Sequence, residues 1–335
     1  MEETNQPQES NDKLEFKNRI DVSELQESIY KIKTQLNKVI VGQKSMIDLL
    51  IVAIFSDGHA LIEGVPGVAK TMTTKLLSRV MDIDFSRIQF TPDLMPSDIL
   101  GTSVFNVKSN EFEFKKGPIF SNMVLIDEIN RAPAKTQAAL FEVMEEKQIT
   151  MDGVRYKMNP PFIVLATQNP IEQEGTYRLP EAQLDRFLFK INVDYPTAAE
   201  ELEIVTREQD LVENVKLDQV EKVITGEEIL KFRKLITQIK VEKNLLEYIA
   251  NIVVNTRTNS FLFLGASPRA TIAILKASKS FAAINGRDFI TPEDIKNAAI
   301  PVLEHRVIVT PEREMEGITS RQIIEQIIES VEIPR

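Results

Sequence analysis

Cysteine is absent from the 335-residue chain, and histidine occurs only twice, at His59 and His305. The first absence excludes disulfides and thiolate-bound metals. The second leaves little for a histidine metal cluster. An excess of positive charge is missing too. Fifty acidic residues against 40 basic ones give a formal net charge of -10, which argues against a nucleic-acid binder acting through a basic surface. No run of about 18 apolar residues occurs, and the N-terminus carries no apolar signal segment. A soluble cytoplasmic protein without membrane insertion is the simplest expectation.

What is present suffices for about two domains, with 43% hydrophobic residues to build their cores. Residues 1–19 are rich in Glu, Gln, Asn and Lys and are expected to form a disordered tail. Over residues 20–195, Ala60 to Ile62, Phe85 to Phe90, Met123 to Ile126, Phe162 to Thr167 and Leu188 to Val193 read as strands, with helical patterns between them. That alternation indicates an α/β fold with a parallel sheet covered on both faces. Beyond Tyr195-Pro196 the pattern is mostly helical, so residues 196–335 are expected to form a second, all-α domain.

Two stretches interrupt the alternation. Residues 91–117 carry Pro92 and Pro96, then two short strand-like runs around Lys108-Ser109-Asn110. This block resembles a functional insert between core strands. Residues 148–158 flank Asp152-Gly153, a strong hairpin signal.

The chemistry centres on Gly64-Val65-Pro66-Gly67-Val68-Ala69-Lys70-Thr71, between a strand and an amphipathic helix. Strand, tight loop and helix form the context of a phosphate-binding loop. Backbone N–H groups there can cradle phosphate oxygens, helped by the helix N-terminus. Lys70 would reach the β- and γ-phosphates of ATP, and Thr71 would offer its hydroxyl to Mg²⁺. Ala69 stands where the common motif has Gly, and it fits if that position takes a helical φ.

Asp127 and Glu128 follow an apolar strand, at the end that faces the ligand crevice in a parallel sheet. Asp127 can bind Mg²⁺ through water, and Glu128 can polarise the attacking water. Asn169 also ends a buried strand, where its amide can hold that water or a γ-oxygen, or simply make an Asn-Pro turn. Arg186 can serve as an arginine finger towards a neighbouring subunit, or pair with Asp185. Arg269, at a helix start, can close onto the γ-phosphate or be a solvated helix residue. His59 reads as a packed or capping residue, and His305 carries no assigned role.

These residues resemble a MoxR-family AAA+ ATPase of the clade with an insertion in its second helix. The resemblance extends through Ile88 to Leu94, Pro96 to Ile99, Asp127 to Pro133, Ala166 to Tyr177, Leu179 to Phe187 and Gly265 to Arg269. Ala69 is tolerated in the family, and Arg178 falls where members usually have Pro. The resemblance implies a P-loop AAA+ module with a five-stranded parallel sheet, followed by a small all-α lid and C-terminal helix. It further implies ring assembly, commonly hexameric. Asn169 becomes sensor 1, Arg186 the finger and Arg269 sensor 2; Arg131 also faces a neighbour's nucleotide, and Val41-Gly42 lies near the adenine. Family members act as chaperone-like remodellers that mature or metallate protein clients, often with a von Willebrand A-domain protein, which here would be a separate partner. The alternatives are a nucleic-acid motor or loader and a switch without turnover. The hairpin offers only Arg155 and Lys157 as cations, against Glu145, Glu146 and Asp152 nearby. Intact Lys70, Asp127, Glu128 and Asn169 argue against the switch.

Overall fold

The computed structural model describes residues 20–169, 177, 179–210 and 220–334. The expected tail, residues 1–19, lies outside the described residues, as do 170–176 and 178 of the motif after Asn169.

Helix α1 (Ser23–Asn37) buries Leu25, Ile29, Ile32 and Leu36 along one face. Helix α2 (Lys44–Phe55) is apolar through most of its length and buried accordingly. In order, β1 (Ala60–Gly64), α3 (Lys70–Val80), β2 (Phe85–Gln89), α4 (Pro96–Leu100), β3 (Gly101–Asn106) and β4 (Glu111–Lys116) follow. Next come β5 (Met123–Asp127), α5 (Ala134–Glu146), β6 (Gln148–Met151), β7 (Val154–Lys157), β8 (Ile163–Gln168), α6 (Glu181–Leu184) and β9 (Phe189–Val193).

Five of these strands form one parallel sheet in the order β2-β5-β8-β1-β9. Side chains alternate between faces along a strand, and the two apolar cores divide accordingly. Met123, Leu125, Ile163 and Leu165 belong to one core; Val124, Ile126, Val164 and Ala166 belong to the other. That two-sided burial explains the unbroken apolar runs.

The helical part comprises α7 (Ala198–Asp210), α8 (Gly226–Thr237), α9 (Lys243–Thr258), α10 (Pro268–Ile284), α11 (Pro292–Leu303), α12 (Pro311–Met315) and α13 (Ser320–Ser330). A short antiparallel pair, β10 (Leu262–Leu264) with β11 (Ile308–Val309), joins them. Thr291 and Asp294 make the capping box that starts α11. The first core continues from the sheet into α8, α9, α10 and α11.

The insert forms a hairpin in which Phe105 opposes Phe112 and Ser103 opposes Phe114. Gly101 and Gly117 meet at its base, where a Cβ on Gly117 would stand 2.2 Å from Ile99 O. Phe114 packs on Tyr156 of the β6–β7 hairpin, ring centroids 4.5 Å apart. Phe105 and Phe112 lie 5.3 Å apart at the outer end and are exposed.

His59 is a packing residue. Its Nδ1 accepts the Val164 N–H at 2.9 Å and its Nε2 faces Met144 O at 3.2 Å. That geometry suits a neutral ring protonated at Nε2. Burial pushes its pKa down to about 4. His305, buried with Nε2 3.0 Å from Phe187 O, is likewise held well below the usual value by burial, then by Arg306 beside it. Both pKa values fall on folding, so the unfolded chain binds more protons. For both rings the stabilisation is complete above the unfolded pKa of about 6.5 and weakens as pH falls below it; for His59 it is lost towards about 4. Denaturant unfolding at pH 5.5 should therefore give a stability lower than at pH 7.5, with about 1.4 kcal/mol of the drop coming from His59. In His59→Gln the drop should shrink by about that amount; an undiminished drop would exclude His59 as a titrating group.

Candidate functional site

All five strands of the sheet run the same way, so their C-terminal ends share one edge. β1, β5 and β8 end there at Gly64, Asp127 and Gln168. A cleft of about 330 Å³ at this edge is bounded by Pro66 to Gly67, Ala69 to Thr71, Arg87, Gln89, Asp127, Glu128 and Asn169. Lys70 Nζ folds back to donate to Gly64 O at 2.5 Å. Burial lowers the pKa of Lys70, opposed by the carboxylates of Asp127, Glu128 and Glu63.

The loop corrects one expectation. Ala69 does not take a helical φ; it sits in the left-handed region at φ +60° as the N-cap of α3. Gly67 turns at φ +89°, with open space where a Cβ would stand. The loop reverses through two left-handed residues before the helix begins, and the second is not a glycine. Ala bears the clash of its Cβ there.

Each acid is already engaged. Asp127 accepts from Arg87 Nε at 2.5 Å and from Thr167 Oγ1 at 3.0 Å. Glu128 stands at φ +57°, and its N–H donates to Thr167 Oγ1 at 3.1 Å. Its Oε2 accepts from Gln89 Nε2 at 2.8 Å and forms an ion pair with Arg131, whose Nε lies 2.8 Å away. Arg87 and Gln89 escaped the sequence reading. They lie two apart on β2 and so share a face, and Gln89 pairs in register with Asp127.

A second cavity, about 390 Å³, adjoins the first through Gly67 and Ala69. Val41, Val68 and Met72 line it, and Ile204 and Arg207 of α7 close it. Arg207 also donates to Asn37 O at 2.9 Å, at the end of α1. Gly42, with φ +66°, presses on α7 instead: a Cβ there would lie 2.3 Å from a Glu200 carboxylate oxygen. Val65 packs against the core, outside both cavities.

Arg186 and Arg269 lie elsewhere. Arg186 precedes β9, whose N-terminal end is on the opposite edge of the sheet. Its Nη2 pairs with Glu145 at 2.9 Å, and the other Glu145 oxygen pairs with Arg269 Nη2 at 2.7 Å. The alternative reading of Arg186, an ion pair with Asp185, does not hold. Asp185 instead accepts from Arg306 at 2.7 Å and from Ser267 Oγ at 3.0 Å. Closure of Arg269 onto the γ-phosphate of its own subunit does not fit this placement. A five-residue strand spans about 17 Å, and the two arginines stand at its far end.

Comparison with known proteins agrees with this layout. Residues 59–189 match the ATPase family associated with various cellular activities (AAA), and residues 254–327 match the AAA lid domain. The chain is 40% identical over 324 residues to chaperone MoxR1 of Mycobacterium tuberculosis, covering 94% of this chain and 84% of that one. The chain belongs to the MoxR family of AAA+ ATPases. It is also 43% identical over 304 residues to the uncharacterised protein YeaC of Bacillus subtilis, covering 91% of this chain and 94% of that protein. A solved crystal structure from Cytophaga hutchinsonii, described as a candidate ATPase, superposes with a TM-score of 0.86 at 46% identity, covering 92% and 96% of the two chains. In this MoxR-family chain α7 lies between the two matched segments, which is why no motif pointed to its place beside the loop.

The left-handed Ala69 yields a direct test. Ala69→Gly should relieve the Cβ clash and raise stability by about 1 kcal/mol, with nucleotide affinity retained or improved. Thermal melting and nucleotide titration measure both, and a destabilised variant would count against the left-handed geometry.

Proposed function

We propose that the chain hydrolyses ATP with Mg²⁺ as a subunit of a homo-oligomeric ring, a hexamer, and uses the cycle to remodel protein partners. The observation that carries this reading is the convergence of the phosphate loop, Asp127, Glu128 and Asn169 on one edge of the sheet. The triphosphate lies along Gly64 to Thr71, with Lys70 turned from Gly64 O onto the β- and γ-phosphates. The adenine occupies the adjoining cavity beside Val41 and Val68, under α7. Thr71 and Asp127 offer hard oxygen donors, which suit Mg²⁺. When bound, the ion neutralises charge on the β- and γ-oxygens.

Glu128 orients and polarises the attacking water, and Asn169 holds it in line. Gln89 and Arg131 hold one oxygen of the Glu128 carboxylate, so they set how readily it turns to the water. Arg186 and Arg269 act across the subunit boundary, because they lie a strand length from the cleft of their own chain. A head-to-tail contact that closes on itself gives a ring.

Partner contact is assigned to the insert. Phe114 anchors it, while Phe105 and Phe112 stay open to solvent, and the mycobacterial relative's name as a chaperone supports a protein client. A separate von Willebrand A-domain protein is included among the partners. No helix among the described residues is long and apolar enough to cross a membrane, in keeping with work in the cytoplasm.

Lys70→Ala should abolish ATP binding in a titration with labelled nucleotide. Glu128→Gln should bind ATP normally and lose turnover, since the shape remains and the base is gone. Equal ATP affinity in the wild type and Lys70→Ala would sink the site assignment. Replacing the tip residues Lys108 to Asn110 by Asn-Gly should preserve melting temperature, assembly and basal turnover, while weakening client-stimulated hydrolysis. Joint collapse of assembly and basal turnover would make the insert structural.

A further inference from the structure

Three elements meet at Glu145. The residue closes the last turn of α5. Arg186 reaches it from the segment ahead of β9, and Arg269 from the first turn of α10 in the helical part. Each guanidinium takes a different oxygen of the same carboxylate. Arg186 is fixed a second time through Nη1, which donates to Phe141 O at 2.6 Å. The Arg269 backbone is fixed through its N–H to Ser267 Oγ, which in turn donates to Asp185.

Two guanidiniums repel one another, and a carboxylate between them both removes that repulsion and sets the plane of each fork. The side chains of Arg186, Glu145 and Arg269 are 28%, 38% and 54% exposed. Ion pairs so open to solvent add little to fold stability. The arrangement therefore matters less for holding α5, β9 and α10 together than for where the two cations point. Both point from the edge opposite the cleft of their own chain.

We infer that Glu145 is a positioning residue that aims Arg186 and Arg269 jointly at the nucleotide of a neighbouring copy of this chain. The inference rests on the proposed sharing of the site between subunits and adds the residue that holds its donor half in shape. Glu145 touches no nucleotide itself; it acts through the two arginines. A misplacement of about 1 Å in such groups costs roughly 100-fold in rate.

The test is Glu145→Gln, which keeps the size and removes the charge that serves both forks. Its kcat for ATP should fall by roughly 10- to 100-fold, while ATP affinity, ring assembly and melting temperature stay at wild-type values. Mixing Glu145→Gln with Glu128→Gln subunits should then restore turnover. In that mixture some interfaces combine an intact cleft from the first variant with an intact arginine pair from the second. Unchanged kcat in Glu145→Gln overturns the inference. So does a mixture that co-assembles without recovering activity, since Glu145 would then serve the nucleotide of its own chain. Loss of assembly also overturns it, because Glu145 would build the interface and not aim the arginines. A wild-type chain that assembles but does not hydrolyse ATP would instead overturn the proposed function.

Discussion

In a parallel sheet every strand ends on the same edge, and the loops that follow those ends must share it. That polarity gathers the phosphate loop after β1, the acids after β5 and Asn169 after β8 into one cleft. It also sends whatever precedes a strand to the other edge. Arg186 precedes β9, so no local rearrangement of its side chain crosses the length of the sheet. The same rule that assembles the cleft keeps Arg186 out of it. In the proposed ring, a second copy presenting its far edge to this cleft would resolve the conflict.

Electrostatics in the cleft follows from burial. Asp127 is 8% exposed, and a carboxylate so enclosed needs a partner. Arg87 supplies it, and Arg131 does the same for Glu128. These contacts make the cleft internally neutralised in the absence of a bound polyanion. Under the proposed function, a triphosphate with its metal would exchange these pairs for others, and so link occupancy of the loop to the orientation of Glu128.

The contiguous motifs were legible because their function is local. Gly64 to Thr71 and Asp127-Glu128 each form one turn between a strand and a helix, and strand polarity then brings them together without further information. The inner strands β1, β5 and β8 were legible because burial on both faces leaves apolar runs, and the edge strands β2 and β9 because their residues alternate. What escaped was set at long range. Arg87 and Gln89 matter only through the pairing of β2 with β5, and α7 reaches the loop across more than 120 residues of chain. The alternative pairing of Arg186 with Asp185 is excluded because the neighbouring carboxylate is taken by Arg306, 121 residues on. Ala69 escaped for a different reason. Residue type suggested a helical φ, and the loop's path required a left-handed one.

The junction between sheet and lid carries the remaining step. Arg306 is buried, and its guanidinium donates to the Asp185 carboxylate and to the carbonyls of Asp185, Phe187 and Leu188. Ser267, at the start of α10, holds the other Asp185 oxygen. Pulling the lid from the sheet here would break all of these charge-assisted hydrogen bonds together. The lid and the segment carrying Arg186 are therefore tied at this point, with Arg269 tied to the same segment through Ser267. Any displacement of the two arginines is then a displacement of α10 and α11 as well, which is how the proposed function would carry a change at one nucleotide into the lid.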